Sequence, residues 1–387
     1  MNQHQVISSP VAAPSTPNLF SYDQWLEAQG VPIYRGFFIE DCRTIEVGWL
    51  PVQQRHVAFI QLEGMQGITE NRVTEVPAGE TTAPFKLGLD EVVYVLSGNG
   101  ITSIWRGSDD KDRRSFEWSP HSMFTIPRNY WHQFSNTRGD TPVRLLHYNF
   151  MPVAMSLNAS PNFFFNNPYE EPDQPPSDVY AEAKAVRVVE GETDRDPFLW
   201  FGNFFPNLNA WDRLSPYQWR GAGGHHLAFQ FPNCEMHGHM SVFEPRLYKK
   251  AHRHGAGVAI TIPAGEGYSI MWPEGQEKLV VPWHEGSLFT PPARWFHQHF
   301  NIGTTGARYL ALSPLRQVGG RTERVVNPLV DQIEYANEEP WIKQKFAEEL
   351  AKKATTSLMP EECYKDPGYQ WSFKKQYAEV TPAASLK

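Results

Sequence analysis

An internal repeat constrains this chain more than any other feature. Ile126-Pro-Arg-Asn-Tyr-Trp-His-Gln133 aligns with Pro291-Pro-Ala-Arg-Trp-Phe-His-Gln298, and the histidines at 132 and 297 lie 165 positions apart. Upstream, Leu96-Ser-Gly-Asn-Gly100 aligns with Pro263-Ala-Gly-Glu-Gly267, its leading glycines at 98 and 265, an offset of 167. Two anchors in the same order, agreeing within two residues, mark a duplicated module. The texture around the anchors is β. Short β-branched or aromatic runs such as HVAFIQL (56–62), EVVYVL (91–96), VRLLHYNF (143–150), HHLAFQF (225–231), GVAITI (257–262), KLVVPW (278–283) and ARYLAL (307–312) are punctuated by Gly, Pro, Asn or Asp. A length of 387 residues suits two such modules. The 13 Trp, 24 Phe and 15 Tyr suit wide β interiors that must be filled or must hold a flat ligand.

The punctuation divides the chain. Residues 1–30 read as a polar, Pro- and Ser-rich tail expected to be disordered, then a short helix with Ser21 as its N-cap and Gly30 as its stop. The first module spans 31–164, an acidic, Pro-dense linker 165–185, and the second module 186–320. Residues 321–387 are expected to form a helical C-terminal arm, amphipathic over 331–354, packed on its own module or on a partner subunit.

Charge and cysteine content narrow the function classes. Lys and Arg total 35 against 43 Asp and Glu, a net charge of −8 without a long basic run, which argues against a nucleic-acid partner. Cys42, Cys234 and Cys363 are odd in number and widely spaced, so they form no disulfide framework. The N-terminus lacks the pattern of a signal peptide, and no run approaches the ~18 apolar residues of a membrane span. The expectation is a cytoplasmic protein with a small-molecule ligand and no membrane partner.

The second repeat contains His252-Arg-His254, Gly265, Gly286, Pro292, His297 and Asn301. These residues resemble the two motifs of the cupin superfamily, with Gly286 to Pro292, Pro292 to His297 and His297 to Asn301 at the family spacing. The likeness covers roughly 55–150 and 235–315, the second stretch being the specific one. It implies an all-β fold of two cupin (jelly-roll-like) β-barrels in tandem, with the short N-terminal helix and the helical C-terminal arm outside them. It also implies metal ligation by His252, His254 and His297. Strand geometry agrees, because residues i and i+2 face the same way and a later strand brings the third imidazole.

Two departures from the cupin pattern matter. The family's glutamate falls near Val258 or Ala259, leaving three neutral donors and no carboxylate. In the first repeat the His-x-His position reads Pro84-Phe-Lys86, while Glu91 and His132 remain. That repeat is expected to be metal-free, with Glu91 and Lys86 as an internal ion pair.

Three neutral nitrogen donors leave a divalent ion its full charge and open positions, which favours an anionic chelating substrate. The run WHEGSLFTPP followed by WFHQH is similar to the gentisate 1,2-dioxygenase group of bicupins. That likeness implies a non-haem Fe(II) dioxygenase acting on a hydroxylated aromatic acid of the gentisate or salicylate type, and a homo-oligomer. It also makes His299 a candidate acid or base beside His297. Arg294 is a candidate bidentate clamp for a carboxylate, with Arg246 and Arg308 as alternatives. Trp272, Trp295 and Phe296 are candidate walls for a flat ring, and Glu266 is a candidate carboxylate at the barrel mouth. His225, His226 and the rival pair His237 and His239 form a second histidine-rich region without a downstream partner at cupin spacing. The competing classes are a decarboxylase, isomerase or lyase using Mn, Zn or Ni, and a non-enzymatic accessory or ligand-binding bicupin.

Overall fold

The computed structural model describes residues 20–65, 67–107, 109–170, 180, 182–187, 198–315, 328–373 and 384–385. The N-terminal tail and residues 171–179 and 181 of the expected linker lie outside the described residues. Each β run foreseen above forms a strand, from Arg55–Leu62 through Ala307–Leu312.

Each repeat is a jelly-roll-like pair of sheets that stays open at its edges instead of closing into a continuous barrel. In the first, an eight-stranded sheet with Glu70–Val76, Val143–Asn149 and Glu91–Ser97 at its centre accompanies a four-stranded sheet of Phe85–Lys86, Trp131–Asn136, Gly100–Trp105 and Arg114–Trp118. In the second, a ten-stranded sheet centred on Ala259–Ala264, Ala307–Leu312 and His237–Phe243 accompanies a five-stranded one. The latter runs Leu279–His284, Glu266–Trp272, Phe296–Asn301, Ala251–His252 and Gln332–Ile333.

The duplication extends to single hydrogen bonds. Gly98 and Gly265 turn their hairpins at φ +86° and +94°, conformations that side chains rarely adopt. The Trp118 indole donates to Thr102 Oγ1 (2.8 Å) as the Trp283 indole donates to Ser269 Oγ (3.1 Å). The Asn136 amide donates to the carbonyls of Val76 and Thr141, and that of Asn301 to those of Phe243 and Thr305. The motif asparagine therefore ties a hairpin to the neighbouring sheet.

The repeats also exchange strands. Phe204–Phe205 pairs with Met123–Ile126 of the first repeat, and Phe38–Ile39 pairs with Leu288–Phe289 of the second. Ser122 Oγ donates to the Pro206 carbonyl (2.6 Å) and Ser287 Oγ to the Glu40 carbonyl (2.5 Å), the same clasp made in both directions. One hydrophobic core spans both repeats, joining Ile60, Val73, Tyr94 and Leu146 to Leu227, Met240, Leu310 and Leu312. The sheets therefore cross the boundary drawn at 165–185, because each large sheet buries its apolar face against the other.

Both termini depart from expectation. The helix spans Ser21–Glu27 with Phe20, not Ser21, in the N-cap position and no side-chain cap. No single helix runs over 331–354. The chain is extended at Gln332–Ile333, where it pairs with Ala251–His252, and the helix is Pro340–Lys352, opened by the proline. Ile342, Phe346 and Leu350 of that helix are buried, Phe346 against Tyr248 (4.9 Å) and Phe300 (5.6 Å). The arm thus packs on its own second repeat. Among the described residues no helix is long and apolar enough to cross a membrane, and Cys42, Cys234 and Cys363 are all free thiols.

Candidate metal centre in the second repeat

Strand pairing sets His252 directly opposite His297, and His254 follows two residues on. Their ring centroids lie 4.2 Å (252–297), 4.6 Å (254–297) and 6.0 Å (252–254) apart, and one nitrogen of each falls within 4.8 Å of the others. The other nitrogen is occupied in every case. His252 Nδ1 meets the Lys250 carbonyl (3.3 Å), His254 Nδ1 that of Gly255 (2.8 Å) and His297 Nδ1 that of Trp295 (3.2 Å). A carbonyl only accepts, so each Nδ1 carries the proton and each Nε2 presents a lone pair. His297 Nε2 is buried with no hydrogen-bond partner. Burial lowers all three histidines, His254 to about 4 and the others well below their usual range, so the rings are neutral. Three converging, unprotonated nitrogens with fixed tautomers fit a divalent transition metal.

The neighbours are sorted by strand alternation. His299 faces inward with His297 (5.6 Å between rings) and bonds Ser269 Oγ through Nδ1 (2.8 Å). Trp272 and Phe296 pair across the sheet on the opposite face, stacked at 5.7 Å, so they do not wall the site. Trp295 keeps the His297 side and packs against Phe37 at 5.6 Å.

The arginines expected to hold substrate have other partners. Arg294 is bound to Asp331 (2.5 Å), which also takes Arg253 (2.9 Å) and so clamps the segment holding Gln332 beside His252. Arg246 donates to Thr355 Oγ1 in the arm (3.1 Å), and Arg308 to the carbonyls of Leu208 and Trp211. Glu266 pairs with Lys353 near the far end of the strand hairpin, about 15 Å along from His297. His237 Nδ1 is held by the Glu235 carbonyl (2.8 Å), and the metal-capable group contains neither His237 nor His239. The rival pair is thus not what the fold gathers.

Two cations that the sequence reading passed over stand by the triad. Arg220 donates to Gln332 Oε1 (2.6 Å) and acts electrostatically on His252, His254, His297 and His299. Lys249 is fully buried, with its ammonium on Ser241 Oγ (2.5 Å) and 5.1 Å from the Tyr309 ring. Alternation counted back from His252 puts Lys250, not Lys249, on the interior face. A one-residue slip reverses this, because Tyr248 bridges Phe300 whereas regular pairing from His252–His297 would shift that partner by one.

The first repeat shows what the same position becomes without the His-x-His pair. His132 pairs with Phe85, so Phe85 and Leu87, not Pro84 and Lys86, occupy the register of His252 and His254. Lys86 points to the other face and donates to the Tyr169 carbonyl (3.0 Å), and it makes no ion pair with Glu91. Arg55 Nη1 instead lies 3.1 Å from His132 Nε2. Glu91 binds Arg72 (2.7 Å) and His147 Nδ1 (2.7 Å), and Arg72 also binds Glu70 (2.5 Å). Burial would push Glu91 up, but Arg72 and His147 hold it well below the usual carboxylate range. Val258 stands at the repeat position of Glu91, so no glutamate joins the triad.

The fold is a tandem pair of cupin-like jelly rolls. Neither family models nor curated proteins match the chain. Among solved structures, a salicylate 1,2-dioxygenase from Pseudaminobacter salicylatoxidans is 12% identical, with a TM-score of 0.47 over 64% of this chain and 71% of that one. Coconut allergen cocosin is 12% identical, TM-score 0.43, over 70% and 83%. Oxalate decarboxylase of Bacillus subtilis is 10% identical, TM-score 0.43, over 71% and 76%. A fold of this kind does not name a function, so the function is read from the site itself.

Proposed function

We infer that this bicupin is a metal-dependent enzyme whose second repeat acts on a chelating, anionic hydroxy acid, foremost as a non-haem Fe(II) dioxygenase on an aromatic substrate of the gentisate or salicylate type. The observation that carries this reading is the ligand set: three converging neutral imidazoles with their Nδ1 protons held and no carboxylate among them. His252, His254 and His297 would hold a divalent ion, which would supply charge to polarise a chelated acid and, as iron, redox chemistry with dioxygen. The chain's own residues do the rest. The Lys250, Gly255 and Trp295 carbonyls orient the imidazoles, and Arg220 and Lys249 make the interior attractive to an anion.

Two measurements test the reading. Anaerobically purified protein is analysed for Fe, Mn, Zn and Ni, and Fe(II)-reconstituted protein is then assayed for oxygen uptake with a panel of hydroxybenzoates. Stoichiometric Fe(II) with substrate-dependent oxygen uptake supports it. Absence of uptake across the panel overturns the dioxygenase, and Mn, Zn or Ni at one equivalent would redirect the assay to decarboxylation or isomerisation of the same acids.

A further inference from the structure

A lysine ammonium buried without a counter-ion is costly, and such a group either meets an anion or gives up its proton. Lys249 is such a group: none of its surface is exposed, Ser241 Oγ is its hydrogen-bonding partner, and among the described residues no carboxylate pairs with it. Burial, with Arg220 nearby, lowers it to about 7. The space it uses is made for it, since a Cβ at Gly224 would stand 3.2 Å from Lys249 Nζ. Ser241 is in turn hydrogen-bonded to Tyr309, whose ring lies 4.9 Å from His299, itself 5.6 Å from His297. The ammonium, the serine and the tyrosine thus share the interior with the triad. In the first repeat two glutamates balance the buried arginines Arg72 and Arg55, whereas no carboxylate among the described residues pairs with Lys249.

The geometry points to a second anion position, in which Lys249, Ser241 and Tyr309 receive a carboxylate of a substrate whose other end chelates the metal. The substrate class is therefore a chelating hydroxy acid bearing one further carboxylate, which gentisate and salicylate themselves lack. This rests on reading the triad as a metal centre, and it adds what the far end of the ligand must be. An arriving carboxylate gains charge-assisted hydrogen bonds from a group already desolvated.

The test compares 2-hydroxyglutarate with 2-hydroxybutyrate, which share a chelating head and differ by the tail carboxylate. Both are titrated calorimetrically into metal-free and Co(II)-loaded protein. The dianion is expected to bind at least tenfold more tightly than the monoanion. Lys249→Met should erase that preference while leaving Co(II) affinity, measured by chelator competition, within about twofold. Tyr309→Phe, which removes only a hydroxyl, should reduce the preference severalfold and guards against a misfolded Lys249 variant. Equal affinities in the wild type, or a preference that survives Lys249→Met, would overturn the inference. Failure of Co(II) to bind would sink the metal reading alone, because the Lys249-dependent preference in metal-free protein still decides this one.

Discussion

The two repeats place a histidine at the same register, His132 opposite Phe85 and His297 opposite His252, and then treat its Nε2 lone pair in opposite ways. In the first repeat the guanidinium of Arg55 covers it at 3.1 Å. In the second, Gly224 precedes the strand His225–Gln230 as Arg55 opens the strand Arg55–Leu62, so this position sends no guanidinium toward His297. A buried imidazole nitrogen needs a partner. The fold supplies either a permanent cation or two further imidazoles poised to share an external one. The same contrast extends to charge: Glu70, Arg72, Glu91 and His147 close an internal ionic network in one repeat, whereas in the other Lys249 is buried on Ser241 with no carboxylate among the described residues paired to it.

The contrast breaks most visibly at the ligands. His297→Ala is expected to abolish stoichiometric metal binding in equilibrium dialysis, and His132→Ala to leave it unchanged. The reverse result would exchange the roles of the repeats.

Next in size is the ionic network. Glu91→Gln leaves Arg72 and its surroundings with an uncompensated buried charge, which costs on the order of 3–5 kcal/mol, measured as a shift in the urea midpoint. A neutral effect would mean that Glu91 is not the counter-ion of Arg72.

Acid should separate the repeats. Buried His147 titrates at about 4, and the unfolded side chain near 6.5. The unfolded chain binds protons first, so the stability tied to this group is complete above about pH 6.5 and is lost as the pH falls toward 4. His254 at about 4 and His299 at about 3, with His252 and His297 also depressed, give the second repeat the steeper dependence. Hydrogen exchange across this range is expected to open the strand Phe296–Asn301 before Trp131–Asn136 in metal-free protein, and added Zn(II) to delay only the former.

The smallest effect is at Arg55. Arg55→Met leaves the His132 lone pair unpaired at a cost of about 1–3 kcal/mol, and its detection by denaturant unfolding would sharpen the view that the guanidinium stands in for a metal.

Much of this was readable in the chain. The duplicated Pro-x4-His-Gln anchors and the alternating runs carry their own period, and a strand pattern of period 2 identifies itself locally. The His-x-His pair needs only that period to put both rings on one face. Lys86 is misplaced by the sequence reading, and Lys249 escapes it, for one reason. A one-residue difference of register sends a side chain to the other face, and register is decided by partners far away in sequence. Arg55 carried no local signal, since its meaning lies in a contact 77 residues distant.

The sequence by itself determined the duplication, the strands and the triad, because these depend on local spacing and on residue chemistry. Only the tertiary structure decided the rest: the strands exchanged between repeats, the arm folded onto its own module, the arginine seated on His132 and the lysine turned inward beside Tyr309. Each of these is a long-range pairing, set by which apolar faces bury together and by where one residue of register slips, and no local pattern encodes either.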